Sequence, residues 1–419
     1  MYEHYRLPNK ANVYLVPFDS TNSVTGLIMF PVGSRYEPEK LNGVSHYIEH
    51  LMFKGTAKRK STLLLTREID RLGAEYNAFT GKETTGYYIK ADARYSETLV
   101  DILSDMLFNS LFDAKEMERE KGVVVEELRM YEDNPLMNID TILEKALYEG
   151  CPLSWDIGGT PRHVKSYERQ DVLAFRDRYY DPSAMTIVFA GSIRPEMKRH
   201  IAQYFGSRAS ARRVSGVYKP GRFGPAEKSR RLVVQHKKND QAQMMLGFPA
   251  FAHRDKVSPV MAVLNTILGG SMSSRLFIQI RERRGLAYVV KSGVQPFRDI
   301  GHFYVQAGLE PKNINRAIVC IKEELEKMAA RPVTKRELAD AKTHIRGGLT
   351  LNLEDSSNQA DWYARQALFM DRIYTPEERL AQIDAVTAED IGALARKTFR
   401  LNEMRVAIIG DVQREAVKY

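Results

Sequence analysis

Cysteine is nearly absent from this chain of 419 residues: Cys151 and Cys320 are its only two. Two thiols cannot build a disulfide framework, so a stapled secreted scaffold is excluded and buried free thiols are expected. No run approaches the roughly 20 consecutive apolar residues of a membrane-spanning helix, and no low-complexity tract breaks the sequence. The opening residues, Met1 to Arg6, lead straight into strand-like sequence, with neither a signal-peptide core nor an Arg-rich amphipathic presequence. A cytoplasmic protein with no membrane partner is the expectation.

Acidic residues are the minority charge: 62 Lys and Arg against 53 Asp and Glu leave a net charge of +9. Such an excess favours acidic partners. Yet the densest basic stretches, Lys58-Arg59-Lys60 and Arg212-Arg213, fall in expected loops without a nucleic-acid-binding motif. A phosphate-binding loop is missing too, because Gly81-Lys82 is followed by Glu83 and Tyr76 stands where the first Gly belongs. No nucleic acid is expected as a partner. What is present is a composition of 43% apolar and 27% charged residues, and a length that suits two or three domains.

Histidine is also scarce, at nine residues, and two of them stand in His46-Tyr47-Ile48-Glu49-His50. With so few, a chance H-x-x-E-H anywhere in the chain is on the order of one in a hundred. If residues 44–53 are helical, His46, Glu49 and His50 share one face. Two imidazoles one turn apart can grip one Zn²⁺, with Glu49 beside it as the base; a catalytic site needs a third protein ligand and a fourth position for water.

The third ligand is sought in residues 114–133, which read as one long helix stopped by Asn134-Pro135. At helical period Glu120, Val123, Val124, Glu127 and Tyr131 share a face, whereas Glu126 sides with Arg119, Arg129 and Asp133 as on a solvated face. A carboxylate on the apolar face costs several kcal/mol unless it is paired or bound to metal, on the order given by transfer data. Glu127 is therefore the expected ligand, and Glu120, two turns earlier, is placed to orient a ligand or hold water.

The chain is built twice. Asp171, Met185 and Gly191 recur as Asp390, Met404 and Gly410 at a common offset of 219, and Phe30-Pro31 recurs as Phe248-Pro249 at 218. Each half closes with a helix and then a β-rich apolar run ending in Gly. Residues 206–231, rich in Ser, Gly, Pro and Arg, suit an exposed linker. The expectation is an α+β fold: two homologous α/β-sandwich domains, 1–205 and 232–419, each with helices on one face of a mostly antiparallel sheet. Only the first copy carries H-x-x-E-H; the comparable helix of the second has Val260-Met261-Ala262-Val263-Leu264.

These words together resemble the inverzincin (pitrilysin-like) zinc metallopeptidases, in the two-domain branch that includes the mitochondrial processing peptidase. The resemblance rests on H-x-x-E-H with a Glu 77 residues beyond the second His, on Gly43-Val44-Ser45 and Leu51-Met52-Phe53-Lys54-Gly55-Thr56 around it, and on Glu126-Glu127-Leu128. It covers essentially the whole chain. It implies one Zn²⁺ per chain on His46, His50 and Glu127, with Glu49 as general base and Glu120 as an acid behind the ligands. Residues 74–89 read as strand, turn and strand, and Asn77-Ala78-Phe79-Thr80 resembles the edge strand on which the family binds peptide backbone; a purely structural hairpin is the alternative. In the second half Arg281 and Tyr288 match the pair that reaches the substrate carbonyl in the family, which suits stabilisation of a developing oxyanion. Plain surface charge beside Arg283 and Arg284 is the competing reading. The implied function is a zinc endopeptidase acting on peptides or unfolded segments inside a clamshell formed by a homodimer, or by a heterodimer with a related subunit.

Overall fold

The structure, a computed structural model, describes residues 2–210, 218–225, 227 and 230–419. Arg212-Arg213 and part of the expected linker lie outside the described residues. Two compact units emerge: Met1–Leu128, Trp155–Lys219 and Leu351–Ile373 form the first, and Arg129–Ser154, Pro220–Thr350 and Tyr374–Tyr419 the second.

The first unit is organised by six strands, β1 (Glu3–Arg6), β2 (Asn12–Pro17), β3 (Ser23–Phe30), β4 (Glu75–Thr80), β5 (Thr85–Asp92) and β6 (Thr186–Gly191). Their order in the sheet is β1-β2-β6-β3-β5-β4, and β2/β6 is its parallel pair. Every residue of β6 is buried. Ile187 and Phe189 enter the core under α1 (Val44–Leu51), α2 (Thr62–Arg71), α3 (Ser96–Asn109) and α4 (Ala114–Asp133), while Val188 and Ala190 point to the opposite face. That second face is covered by the helix Ser356–Phe369, whose Ala360, Tyr363 and Ala364 lie on Val16, Leu27 and Met29. Its N-terminus is fixed to the sheet by Thr25 and Ser356, whose hydroxyls are 2.7 Å apart, and by Lys90–Asp355 at 2.6 Å.

The second unit repeats the plan with β7 (Leu232–His236), β8 (Ala242–Ala250), β9 (Ala287–Pro296), β10 (Gly301–Leu309) and β11 (Arg405–Gly410), in the order β7-β11-β8-β10-β9. Substituting β2, β6, β3, β5 and β4 in turn gives the first sheet without β1, including its one parallel pair. Here the second face is covered by α5 (Pro135–Leu147), through Ile139, Leu143 and Leu147 against Met245, Ala407 and Ile409.

Two sequence expectations change. Helices cover both faces of each sheet, not one. The halves are also not contiguous in packing: the boundary at residues 219 and 220 falls within the expected linker, but each half of the chain lends the other unit one helix. The physical reason is the apolar second face of each sheet, where every large side chain removed from water contributes about 1.5–3 kcal/mol. Pro135 does end the long helix, yet it also starts α5, with the Asn134 side chain accepting from the Leu136 N–H at the cap.

Candidate metal centre

The site is built on α1, and that helix is held at its start by a residue of no obvious sequence pattern. The buried Glu37 carboxylate accepts the backbone N–H groups of Gly43 at 2.6 Å and Ser45 at 2.8 Å and the Asn42 side-chain N–H at 3.1 Å. A carboxylate here satisfies donors that a helix leaves free and complements the positive end of its dipole. Gly43 enters α1 at φ 96°, a left-handed conformation that penalises any Cβ. Gly158 lies against His46 so closely that a Cβ there would stand 2.5 Å from Leu128 Cδ2 and 3.5 Å from His46 Nδ1.

His46 and His50 project together from α1 and meet Glu127 from α4. His46 Nε2 and His50 Nε2 are 3.2 Å apart, Glu127 Oε2 lies 3.2 Å from the second and 3.7 Å from the first, and the three donor atoms form a metal-competent cluster. A tetrahedral zinc with bonds of about 2.05 Å separates its donors by about 3.3 Å, so this cluster is consistent with a mononuclear zinc site. Electrostatics agree with a ligand role for His46. Burial, reinforced by His50, pushes its pKa down to about 4, leaving a neutral imidazole with a free lone pair. Its Nδ1 is buried without a hydrogen-bond partner. For His50, burial opposes the charged form, but hydrogen bonds to Glu120 and Glu127 outweigh it and push the pKa up to about 9. Glu127 thus meets His50 on its Nε2 side, where a cation belongs, and Glu120 meets it on the Nδ1 side.

Glu120 stands behind His50, its Oε1 2.9 Å from Nδ1, and only 4% of its side chain is exposed. The helical face drawn from the sequence needs correction in detail. Met117, Glu120, Val124 and Val125 are the buried residues of α4, whereas Val123 is 49% and Tyr131 37% exposed. The buried stripe drifts along the helix, so Glu127 is approached through Glu120 and Val124 rather than through Val123 and Tyr131. Glu126 is exposed, as its polar neighbours implied.

Glu49 points to the edge strand. Thr80, the last residue of β4, donates its hydroxyl to Glu49 Oε2 at 2.6 Å. Burial raises the Glu49 pKa above the ordinary carboxylate value, the Thr80 hydrogen bond working against it. β4 forms one edge of its sheet, so Asn77, Ala78, Phe79 and Thr80 do lie on an edge strand. Alternation places Ala78 in the core beneath α1 and Phe79 on the opposite face. There the Phe79 ring lies over Gly86, and the Arg365 guanidinium is 5.7 Å from its centroid.

Arg281 and Tyr288 belong to the second unit. Arg281 is on a wide helical turn, Phe277–Glu282, with its guanidinium 4.8 Å from the Phe277 ring centroid and its side chain 44% exposed. Tyr288 is the extra residue at the β9/β10 register shift, where a bulge can re-aim a side chain. Its ring covers Gly308, and its hydroxyl accepts from Gln243 Nε2 at 3.0 Å. Glu37, Lys54 and the Thr80–Glu49 contact escaped the sequence reading, since each depends on segments distant in sequence.

The chain is similar in sequence and in fold to known proteins. The sequence model described as Insulinase (Peptidase family M16) matches residues 14–160, and the Peptidase M16 inactive domain matches residues 166–345. The uncharacterized zinc protease YmxG of Bacillus subtilis is 33% identical over 95% of this chain and 96% of its own length. A similarly named protein of Streptomyces coelicolor is 33% identical over 93% of this chain and 85% of its own. Among solved structures, a protease from Helicobacter pylori superposes with a TM-score of 0.90 at 22% identity, over 98% of this chain and 99% of its own. A Peptidase M16 inactive domain from Pseudomonas fluorescens gives a TM-score of 0.89 at 18% identity over the whole of both chains.

Proposed function

This chain belongs to the insulinase family of zinc peptidases, peptidase family M16, and we propose that it acts as an endopeptidase on peptides or unfolded segments. The observation that carries the reading is the convergence of His46, His50 and Glu127 with Glu49 beside them on α1. When bound, zinc supplies Lewis acidity that acidifies water and polarises a carbonyl. Glu49 is the general base: Thr80 engages its Oε2, and Oε1 takes the proton of the attacking water. The same oxygen then passes that proton to the leaving amine as the C–N bond breaks. Burial makes this carboxylate a stronger base than an exposed one.

An extended substrate adds to the free edge of β4, its main chain pairing with that of Asn77 to Thr80. Ala78 leaves room on the α1 side, and Phe79 and Arg365 meet alternate side chains on the other. Arg281 and Tyr288 supply a cation and a phenol for the developing oxyanion. Because one chain carries both the ligand set and this pair, the working form is a homodimer in which each site is completed by the partner chain. A mixture of unstructured peptides, incubated with the zinc-loaded chain and read by mass spectrometry, tests the activity. Internal cleavage that a chelator abolishes supports it; intact peptides with zinc-loaded protein count against a self-sufficient peptidase.

A further inference from the structure

Lys54 lies one turn beyond His50, where the chain leaves α1 through hydrogen bonds from Phe53 to His50 and from Lys54 to Leu51. His46, His50 and Lys54 therefore follow at four-residue steps, and Glu120 faces the last two. Its two carboxylate oxygens are divided: Oε1 meets His50 Nδ1 at 2.9 Å and Oε2 meets Lys54 Nζ at 2.7 Å. The lysine side chain is 24% exposed, so its charge sits at the rim while its partner is buried.

We propose that Lys54 is a positioning residue for the metal site, acting on His50 through Glu120. The inference rests on reading His46, His50 and Glu127 as the zinc ligands. A carboxylate as buried as Glu120 keeps its charge and direction only if both oxygens are engaged. With Oε2 held by the ammonium, Oε1 stays aimed at Nδ1, which fixes the tautomer with its proton on Nδ1 and its lone pair on Nε2, toward the metal. An ionised acceptor there also makes the imidazole a better donor, and loss of such partners typically weakens metal binding about 10- to 100-fold. Without Lys54 the carboxylate can turn, and His50 loses its orienting partner. An ordinary ion pair that merely stabilises the fold would leave zinc affinity untouched.

The test is the zinc dissociation constant, by chelator competition at fixed pH, for wild type, Lys54→Met, Lys54→Arg, Glu120→Gln and the Lys54→Met/Glu120→Gln double variant. Thermal midpoints of the metal-free proteins control for folding, and Lys54→Gln replaces Lys54→Met if the latter does not fold. Lys54→Met is expected to bind zinc about tenfold more weakly, and Lys54→Arg to recover most of that loss. The double variant should bind no more weakly than Glu120→Gln alone, because one route is shared. Unchanged zinc affinity in Lys54→Met, or losses that add in the double variant, overturns the role of Lys54 while leaving the ligand set intact. A wild type that binds no zinc overturns both.

Discussion

The three ligand positions differ in how directly the chain specifies them. His46, Glu49 and His50 are fixed relative to one another by helical geometry, so their common face was legible from spacing alone. Glu127 is distinguished from Glu126 by helical face, and the buried face of α4 departs from the periodic one in detail: Val123 and Tyr131 are exposed, while Met117 and Val125 are buried. The distinction still yields a sharp expectation. Glu127→Ala should purify with little zinc after gel filtration, whereas Glu126→Ala should keep about one zinc per chain, as elemental analysis would read. Full metal in the first and loss in the second would reverse the assignment. Glu37, Lys54 and the Thr80 contact with Glu49 are illegible in the sequence for a different reason. Each acts through an approach between segments that no local periodicity records: a strand end to a helix, a loop acid to a helix start, a lysine to a glutamate 66 positions away.

Among elements, the closing strands β6 and β11 are legible as apolar runs ending in Gly because a sheet buried on both faces demands continuous apolar runs. The runs at β6 and β11 also held the clue that was missed: strands buried at every position need cover on both sides. The sequence does not say which helix supplies it, since Ser356–Phe369 and α5 each come from the other half of the chain. The loop after α1 is pinned by a charge cluster rather than by apolar packing. Arg59, 6% exposed, binds Glu68 at 2.7 Å, Asp101 at 2.9 Å and Asp105 at 3.0 Å, and Thr56 donates to Asp105. Arg59→Met leaves the buried Asp105 and the part-buried Glu68 without their guanidinium and should destabilise the protein by about 3 kcal/mol. The hydrogen bond from Arg59 holds Glu68 below the usual carboxylate range; for Asp101, burial opposes the shift but Lys58 and Arg59 outweigh it. Depressed folded-state pKa values contribute stability above the unfolded value of about 4, lost as pH falls through the folded value. The wild-type melting temperature should therefore drop steeply below about pH 4, and that of Arg59→Met, lower at neutral pH, should drop less. Parallel slopes would show that other groups govern the acid transition.

For the molecule as a whole, duplication explains why one architecture serves twice while its chemistry does not. The two sheets share strand order and the placing of their parallel pair, yet only the first carries the ligand helix; the second has Val263 and Leu264 buried in its counterpart. The repeat was legible because equal offsets survive divergence, whereas partner chains leave no such mark. Assembly is open to a direct trial: Glu49→Gln and Arg281→Ala chains, each inactive alone, should regain about a quarter of wild-type activity when mixed in equal amounts and allowed to exchange, if sites are completed in trans. No recovery despite demonstrated exchange would rule out that arrangement.

The most direct measurement is a side-by-side determination of zinc content and peptide cleavage for wild type and Glu49→Gln. Glutamine keeps the shape of the side chain and removes the base. The variant should retain about one zinc per chain and lose at least about 100-fold in turnover, the range for a general base. A Glu49→Gln protein that cleaves as fast as wild type, or that has lost its zinc, would contradict the assignment of Glu49 as the base beside a metal held by His46, His50 and Glu127.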